Sequence, residues 1–283
     1  MLNFQTEYFL KNNFRRLGLN ISRFSSAGQI AGFLKLCYPK TTEIPLIRLG
    51  EKNDGGYLLP DDMEGISACF SPGVAESSGF ENDMAKRGIT SFLADYSVEG
   101  PAIHSPLFHF DKKFIGTTDD EKFIRLESWV KSKNVGAGDI ILQMDIEGAE
   151  YDVIMDTPEE ILRKFRIILI EFHGLQFLSE PFALKWVQAA FIKLLKDFEI
   201  VHIHPNNFSP VETIRGFDIP PMLEISFLRK DRIISSIYTK SLPHDLDRCC
   251  SLARKDYALP SCWLYKPTKA ESSNLTNPSE KMD

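Results

Sequence analysis

The segment Ile140-Ile141-Leu142-Gln143-Met144-Asp145-Ile146-Glu147-Gly148-Ala149-Glu150-Tyr151 runs from an apolar stretch straight into three carboxylates set around a glycine. Such a run reads as a buried strand. In open α/β sheets ligands bind beyond the carboxyl ends of the strands, so Asp145 and Glu147 stand where a substrate or an ion is handled. Glu150 fits the first turn of a following helix, where an acid complements the helix dipole. Two further acids end apolar runs: Asp95 after Ser91-Phe92-Leu93-Ala94, and Glu171 in Ile168-Leu169-Ile170-Glu171-Phe172-His173-Gly174. His202, His204, Asn206 and Asn207 follow in Val201-His202-Ile203-His204-Pro205-Asn206-Asn207, and Glu224 interrupts the last apolar run. Strand alternation puts His202 on the same side as His204, one pleat deeper, where it reads as a satisfied core or edge histidine. Carboxylates and imidazoles gathered at strand ends suit either general acid–base chemistry or the ligation of a divalent metal.

Two other segments belong with these acids. Phe70-Ser71-Pro72-Gly73-Val74-Ala75-Glu76-Ser77-Ser78-Gly79-Phe80-Glu81 is a small-residue loop between a strand and a helix, a shape that lets backbone amides approach a ligand closely. Asp95 lies about twenty residues further on, where nucleotide-type folds place the acid that binds ribose hydroxyls. Asp54-Gly55-Gly56-Tyr57 reads as a tight hairpin turn, with Arg48 and Tyr57 as alternative caps of a ligand pocket.

The elements that must position these residues follow from periodicity. Strands are expected over Ile66–Phe70, Ser91–Ala94, Phe108–Ile115, Ile140–Met144, Ile167–Phe172, Ile200–His204 and Met222–Arg229. Helices are expected over Gly79–Arg87, Glu121–Lys131, Pro158–Lys164 and Phe182–Phe198. The alternation predicts an α/β fold with a mostly parallel sheet and helices on both faces, and the loop between the last two strands predicts an antiparallel edge pair. Residues 1–45 read as an N-terminal helical extension with basic residues at Lys11, Arg15, Arg16, Arg23 and Lys35. Residues 46–265 form the main domain, and the polar stretch 266–283 reads as a disordered tail.

Composition narrows the function classes. The chain of 283 residues has 33 basic and 39 acidic residues, a net charge of -6 that disfavours a nucleic-acid partner. Its five cysteines, Cys37, Cys69, Cys249, Cys250 and Cys262, lack CxxC spacing and read as reduced thiols. No apolar run reaches a membrane-spanning length and no signal peptide is visible, so the expectation is a cytoplasmic protein without membrane insertion. Sequons at Asn20, Asn207 and Asn274 then carry no meaning.

Asp145-Ile146-Glu147-Gly148-Ala149-Glu150-Tyr151, with Glu171-Phe172-His173 downstream, resembles the post-strand motif of FkbM-type S-adenosylmethionine-dependent methyltransferases. Arg48-Leu49-Gly50, Asn53-Asp54-Gly55-Gly56-Tyr57 and the Ser71-Pro72-Gly73 loop with Ser78-Gly79-Phe80-Glu81 are similar to the opening of one bacterial branch, and the likeness spans roughly Leu46 to Lys230. The loop at Gly73 carries fewer glycines than the usual methyltransferase form. The resemblance implies a class I methyltransferase sheet, Rossmann-like and seven-stranded, with the last strand antiparallel. It implies that Ser71, Gly73 and Glu76 bracket the methionine part of S-adenosylmethionine, that Asp95 holds the ribose, that Tyr96 lies near the adenine, and that Asp145 joins cofactor and acceptor pockets. The activity expected is O-methylation of a sugar or glycan-type small molecule. A sugar hydroxyl is a weak acid, so proton removal falls to His204 or His173, aided by Asp145 and Glu147, or to Mg²⁺ held by Asp145 and Glu171. The competing readings are a metal-dependent hydrolase using Asp145, Glu147, His173 and His204, and a catalytically silent binding module of the same fold.

Overall fold

A computed structural model of the chain describes residues 8–9, 12–14, 16–18, 23–75 and 77–267. Glu76, Lys11, Arg15, Asn20, Asn274 and residues 268–283 of the expected tail lie outside the described residues. Seven strands form the central sheet: β1 (Ile66–Pro72), β2 (Thr90–Ala94), β3 (Phe108–Asp111), β4 (Asp139–Met144), β5 (Phe165–Phe172), β6 (Phe198–Pro205) and β7 (Leu223–Arg229). Their spatial order is β3-β2-β1-β4-β5-β7-β6, parallel throughout except that β7 runs antiparallel to both β5 and β6. The chain reverses its direction of travel across the sheet between β1 and β4, the switch point at which open α/β sheets form their ligand crevice. The register aligns the strand ends there: Pro72 pairs with Ala94, Phe70 with Leu142, and Met144 with Ile170.

The helices are α1 (Ala27–Leu36), α2 (Gly79–Lys86), α3 (Leu126–Ser132), α4 (Glu150–Asp156), α5 (Glu159–Leu162) and α6 (Pro181–Asp197). Alternation along the strands splits the core in two. Phe70, Ile140, Leu142, Met144, Ile168 and Ile170 pack on one side with residues of α1, α3, α4 and α6. Cys69, Ile141, Ile167, Leu169 and Leu228 pack on the other with Leu49, Tyr57, Leu59, Phe80 and Met84. A central strand covered on both faces has no polar side, which is why Ile140–Leu142 of β4 and Ile167–Ile170 of β5 read as apolar runs. The helices expected on both faces therefore cover one face fully. On the other, α2 shares the work with an antiparallel hairpin, Leu46–Gly50 with Gly56–Pro60, turning through Asp54-Gly55. α1 joins the first core through Ile30, Phe33 and Leu34, with Phe33 edge-on to Phe191 at 5.2 Å and to Trp263 at 6.2 Å.

Two expected elements change form. The strand expected over Phe108–Ile115 breaks after Asp111, and Phe114–Gly116 instead pairs in parallel with Phe123–Arg125. Lys113 causes the break by donating from Nζ to the carbonyls of Asp120 (2.7 Å) and Glu121 (2.6 Å). The helix expected from Glu121 accordingly starts at Leu126: the Asp120 carboxylate accepts from the amides of Lys122 (2.8 Å) and Phe123 (2.9 Å), holding an extended turn. No helix among the described residues is long and apolar enough to cross a membrane.

Candidate active site

β1, β2 and β4 deliver their last residues to one crevice. Gly73 follows β1 with φ of +86°, and a Cβ there would fall 1.5 Å from the carbonyl oxygen of Asp145. Only glycine lets the loop after β1 lie against the end of β4. Its amide donates to Ala94 O at 2.9 Å, and the Asp145 amide donates to Pro72 O at 3.2 Å, so the three strand ends are tied together by backbone.

Two cavities open on this junction and share Gly73, Ala75 and Asp145. The smaller, about 100 Å³, lies between the β1 loop and the hairpin tip and includes Asp54, Gly55, Tyr57, Ser77, Glu81 and Gln143. The larger, about 470 Å³, has Asp95 and Ser97 on one side and Phe114, Ile115 and Phe123 on the other. Asp95 is buried at its entrance: Oδ2 accepts from the Ala75 amide (3.0 Å), while Oδ1 accepts from the amide (2.7 Å) and hydroxyl (2.6 Å) of Ser97. A carboxylate has about four lone-pair sites, so acceptor capacity remains. Ala75 and Glu147, both lining this cavity, are non-glycine residues with positive φ, +41° and +57°. Backbone strain of this kind concentrates at ligand-handling positions.

A third cavity, about 440 Å³, lies across Glu147 from the larger one. His173, Gly174, Tyr151, Phe177 and Trp186 contribute to its wall. His173 is therefore the group that faces from the third cavity toward Asp145. Its Nε2 lies 3.5 Å from Glu147 Oε2, 3.8 Å from Glu171 Oε1 and 3.9 Å from Asp145 Oδ1, and its Nδ1 is 3.1 Å from Glu150 Oε1.

The charges here are unsettled by design of the surroundings. Burial pushes the Asp145 carboxyl up to about 7; His173 pulls it down, while Glu147, Glu150 and Asp54 add to the rise. Asp145 Oδ1 is buried without a hydrogen-bond partner. For His173, burial opposes the charge, but the Glu150 hydrogen bond and the charges of Glu150, Asp145 and Glu147 outweigh it and raise the pKa. Burial, then the neighbouring Asp145, Glu224 and Asp54, raises Glu171 well above the carboxylate range, although Asn206 Nδ2 donates to its Oε1 at 2.7 Å.

Residues 71–195 match the family model described as the methyltransferase FkbM domain. Over these residues the chain is similar to the FkbM methyltransferase domain. A stretch of 79 residues is also 39% identical to UDP-3-O-acylglucosamine N-acyltransferase of Fusobacterium nucleatum subsp. nucleatum, covering 27% of this chain and 24% of that protein. The chain thus spans about a quarter of the length of that curated relative.

Within the matched residues, the structure gathers Asp145, Glu147 and His173, with Glu171 buried nearby. It places other expected residues differently. Ser71 is buried below the crevice floor, where its Oγ contacts Glu81 Oε1 and Gln143 Oε1 (2.5 Å). Glu81, lining the smaller cavity above it, is the acid that meets the crevice, pushed up to about 7 by burial. Tyr96 packs on Phe114 at 5.4 Å between ring centroids, and Phe114 supplies the cavity wall in its place. His204 belongs to a different neighbourhood: it lines a separate cavity with His244, Asp247 and Tyr257, and pairs across the sheet with Glu224. Of the two alternative bases, His173 is the one beside Asp145, and the hydrolase ligand set Asp145, Glu147, His173 and His204 is not assembled. Asp145 forms a close set with Glu147 and His173, and Glu171 forms one with Asp54 and Glu224, while Asp145 and Glu171 both lie within 4 Å of His173 Nε2. His202 is a satisfied core histidine, its Nε2 2.8 Å from Asp247 Oδ1.

Sequence reasoning undervalued Glu150. It does open α4, but it is fully buried, and its Oε1 accepts from the amides of Ile146 (3.2 Å) and Gly148 (3.0 Å) while contacting His173. It clamps the turn that presents Asp145 and Glu147 and orients the imidazole. The available signal was its spacing to Gly148, which allows a carboxylate to reach back over the turn.

Proposed function

We propose that this chain transfers a methyl group from S-adenosylmethionine to a hydroxyl of a sugar or other glycan-type small molecule. The observation that carries the reading is the position of the Asp145 and His173 couple, at the meeting point of the paired crevice cavities and the third, aromatic-walled one. The strand order, with β7 antiparallel, supports assignment to the class I methyltransferase fold. The donor fits the paired cavities on three counts: the glycine-only approach at Gly73, an acid with spare acceptor sites at Asp95, and apolar walls at Ile115, Phe114 and Phe123. A donor's ribose would lie against Asp95, its base against the phenylalanines, and its amino-acid end toward Glu81 and Asp54. When bound, the donor supplies an activated methyl group, so alignment and deprotonation of the acceptor are what remain for the protein.

The chain's own residues divide that work. Glu150 fixes His173 through Nδ1, leaving Nε2 toward the acceptor cavity and Asp145. The Asp145 and His173 pair shares protons near neutrality, and in its deprotonated form takes the proton from the acceptor hydroxyl. Phe177 and Trp186 offer flat apolar faces of the kind on which a sugar ring stacks, and Trp186 is held by donation from Nε1 to Asp152 Oδ1 at 3.0 Å.

Titration calorimetry with S-adenosylmethionine and S-adenosylhomocysteine tests the reading. The full chain is expected to bind both, and Asp95→Ala is expected to weaken binding about tenfold, the loss of hydrogen bonds to a charged group. Folded protein that binds neither would overturn the proposal.

A further inference from the structure

The strongest cluster outside the crevice lies where the segment after β7 folds back on the sheet edge. β6 contributes His204, β7 contributes Glu224 directly across from it, and the returning segment contributes Cys250. All three side chains are buried, at 4%, 6% and 4% exposure. A ring nitrogen, a carboxylate oxygen and the thiol sulfur lie within 4.8 Å of one another, and Cys250 Sγ is 3.3 Å from Glu224 Oε1.

We infer that His204, Glu224 and Cys250 form a transition-metal site for an ion of the Zn²⁺ class, which pins the returning segment to β6 and β7. The donor set is one nitrogen, one oxygen and one sulfur, the mixture that borderline-soft ions take in tetrahedral sites. The second observation is independent of the ligand spacing: His204 Nε2 is buried without a polar partner, and Nδ1 has only the Asp247 carboxylate, 3.5 Å away. Buried polar atoms are otherwise almost always satisfied, so this imidazole is aimed at something.

The surroundings complete the site. Asp247 Oδ1 is 3.5 Å from His204 Nδ1 and 2.8 Å from His202 Nε2, which makes it the carboxylate that sets the ring orientation of a metal-bound histidine. The amide of His244 donates to Asp247 Oδ2 at 2.7 Å and fixes that carboxylate in turn. Glu224 also faces Glu171 and Asp54, so a dication would relieve three neighbouring carboxylates. Arg48 is the cation already facing Glu224, Cys250 and Asp247, but its Nη2 donates to the Glu51, Lys52 and Asn53 carbonyls. The cavity of about 250 Å³ that His204 lines gives an ion a route inward. On binding, the Cys250 S–H bond breaks, its proton leaves to water, and the thiolate lone pair forms the metal–sulfur bond.

The full-length, untagged protein, stripped with chelator and titrated with Zn²⁺ and Co²⁺, tests this. One equivalent of either ion should bind, and Co²⁺ should produce thiolate-to-cobalt charge-transfer absorption in the near ultraviolet. Cys250→Ser should abolish that absorption and weaken Zn²⁺ binding by about 100-fold or more, since loss of an outer carboxylate alone costs about 10–100-fold. Asp247→Asn should fall in that smaller range. Circular dichroism and the denaturant midpoint report whether the variants remain folded. A wild-type protein without charge-transfer absorption overturns the inference even if the variants fail to fold. So does a folded Cys250→Ser protein that binds Zn²⁺ as tightly as wild type.

Discussion

Asp139 and Asp145 bracket the same strand: one is its first residue, the other follows its last. At the amino end, Asp139 accepts from Arg166 Nε at 2.9 Å and from Arg229 Nη1 at 2.8 Å, and Arg166 reaches on to the carbonyls of Asp62 (3.0 Å) and Glu64. Burial works against that carboxylate, but the two guanidiniums outweigh it and hold it below its ordinary pKa. At the carboxyl end, Asp145 meets other acids and one imidazole, and rises to about 7. One end of β4 is a charge network that closes on itself. The other is left open, with a buried oxygen awaiting a partner. The same residue type thus closes a charge network at one end and lines the proposed site at the other, decided by which neighbours the sheet order brings.

The sharpest way to separate the two ends is to neutralise each in turn. Asp145→Asn is expected to lower the rate of methyl transfer about 10²–10⁴-fold, the usual worth of a positioned base, while stability stays equal or rises. Activity in wild type should also fall as pH drops through about 7, as the Asp145 and His173 pair takes up its proton; an acid limb unchanged in Glu150→Gln would remove His173 from that pair.

Asp139→Asn is expected to do the reverse. Denaturant unfolding should show a loss of about 3 kcal/mol, because two arginines, one of them well buried, lose their carboxylate, and S-adenosylhomocysteine binding should not change. Reduced ligand binding at full stability would mean that the two ends are not functionally separate.

The smallest effect is on the pH dependence of stability. Asp145, Glu81 and Glu224 each titrate near 7 in the folded chain and well below that when unfolded, so the folded state holds more protons between about pH 4 and 7. Their contribution to stability therefore falls as pH rises through that window. His173, raised above its unfolded value, adds a loss in the same direction on going alkaline. Asp139 acts oppositely, stabilising above its unfolded pKa and losing that contribution as pH falls. Unfolding measured at pH 5 and pH 8 should show a shallower decline in Asp145→Asn than in wild type; equal declines would place the strain elsewhere.

Much of this was legible in the chain itself. β4 and β5 were visible because a doubly covered strand keeps an apolar centre, here Ile140–Leu142 and Ile167–Ile170, and the polar residues toward their ends stood out against it. α6 was visible through a stripe at helical spacing running from Phe182 and Trp186 through Val187, Ala190, Phe191 and Leu194, of which Val187, Ala190, Phe191 and Leu194 are buried and Phe182 and Trp186 exposed. The helix at Leu126 was misread because Lys113 and Asp120 hold the preceding residues extended, a contact between neighbouring segments that periodicity does not contain. Tyr96 and Ser71 stand at positions a linear motif would assign to a ligand, yet packing turns one against Phe114 and sinks the other beneath Glu81.

By itself the sequence determined the strand-end acids, the apolar runs and the small-residue loop after the first of them, since these depend on residue type and burial period; that only glycine fits at 73 was decided by the approach of β4. Only the tertiary structure decided which acids share a site. Placing β7 between β5 and β6 sends His204 to Glu224 and Cys250, and the packing of α4 against β5 brings Glu150 to His173. Proton affinity and ligand choice depend on distances between groups far apart in the chain, and those distances exist only once the sheet is ordered.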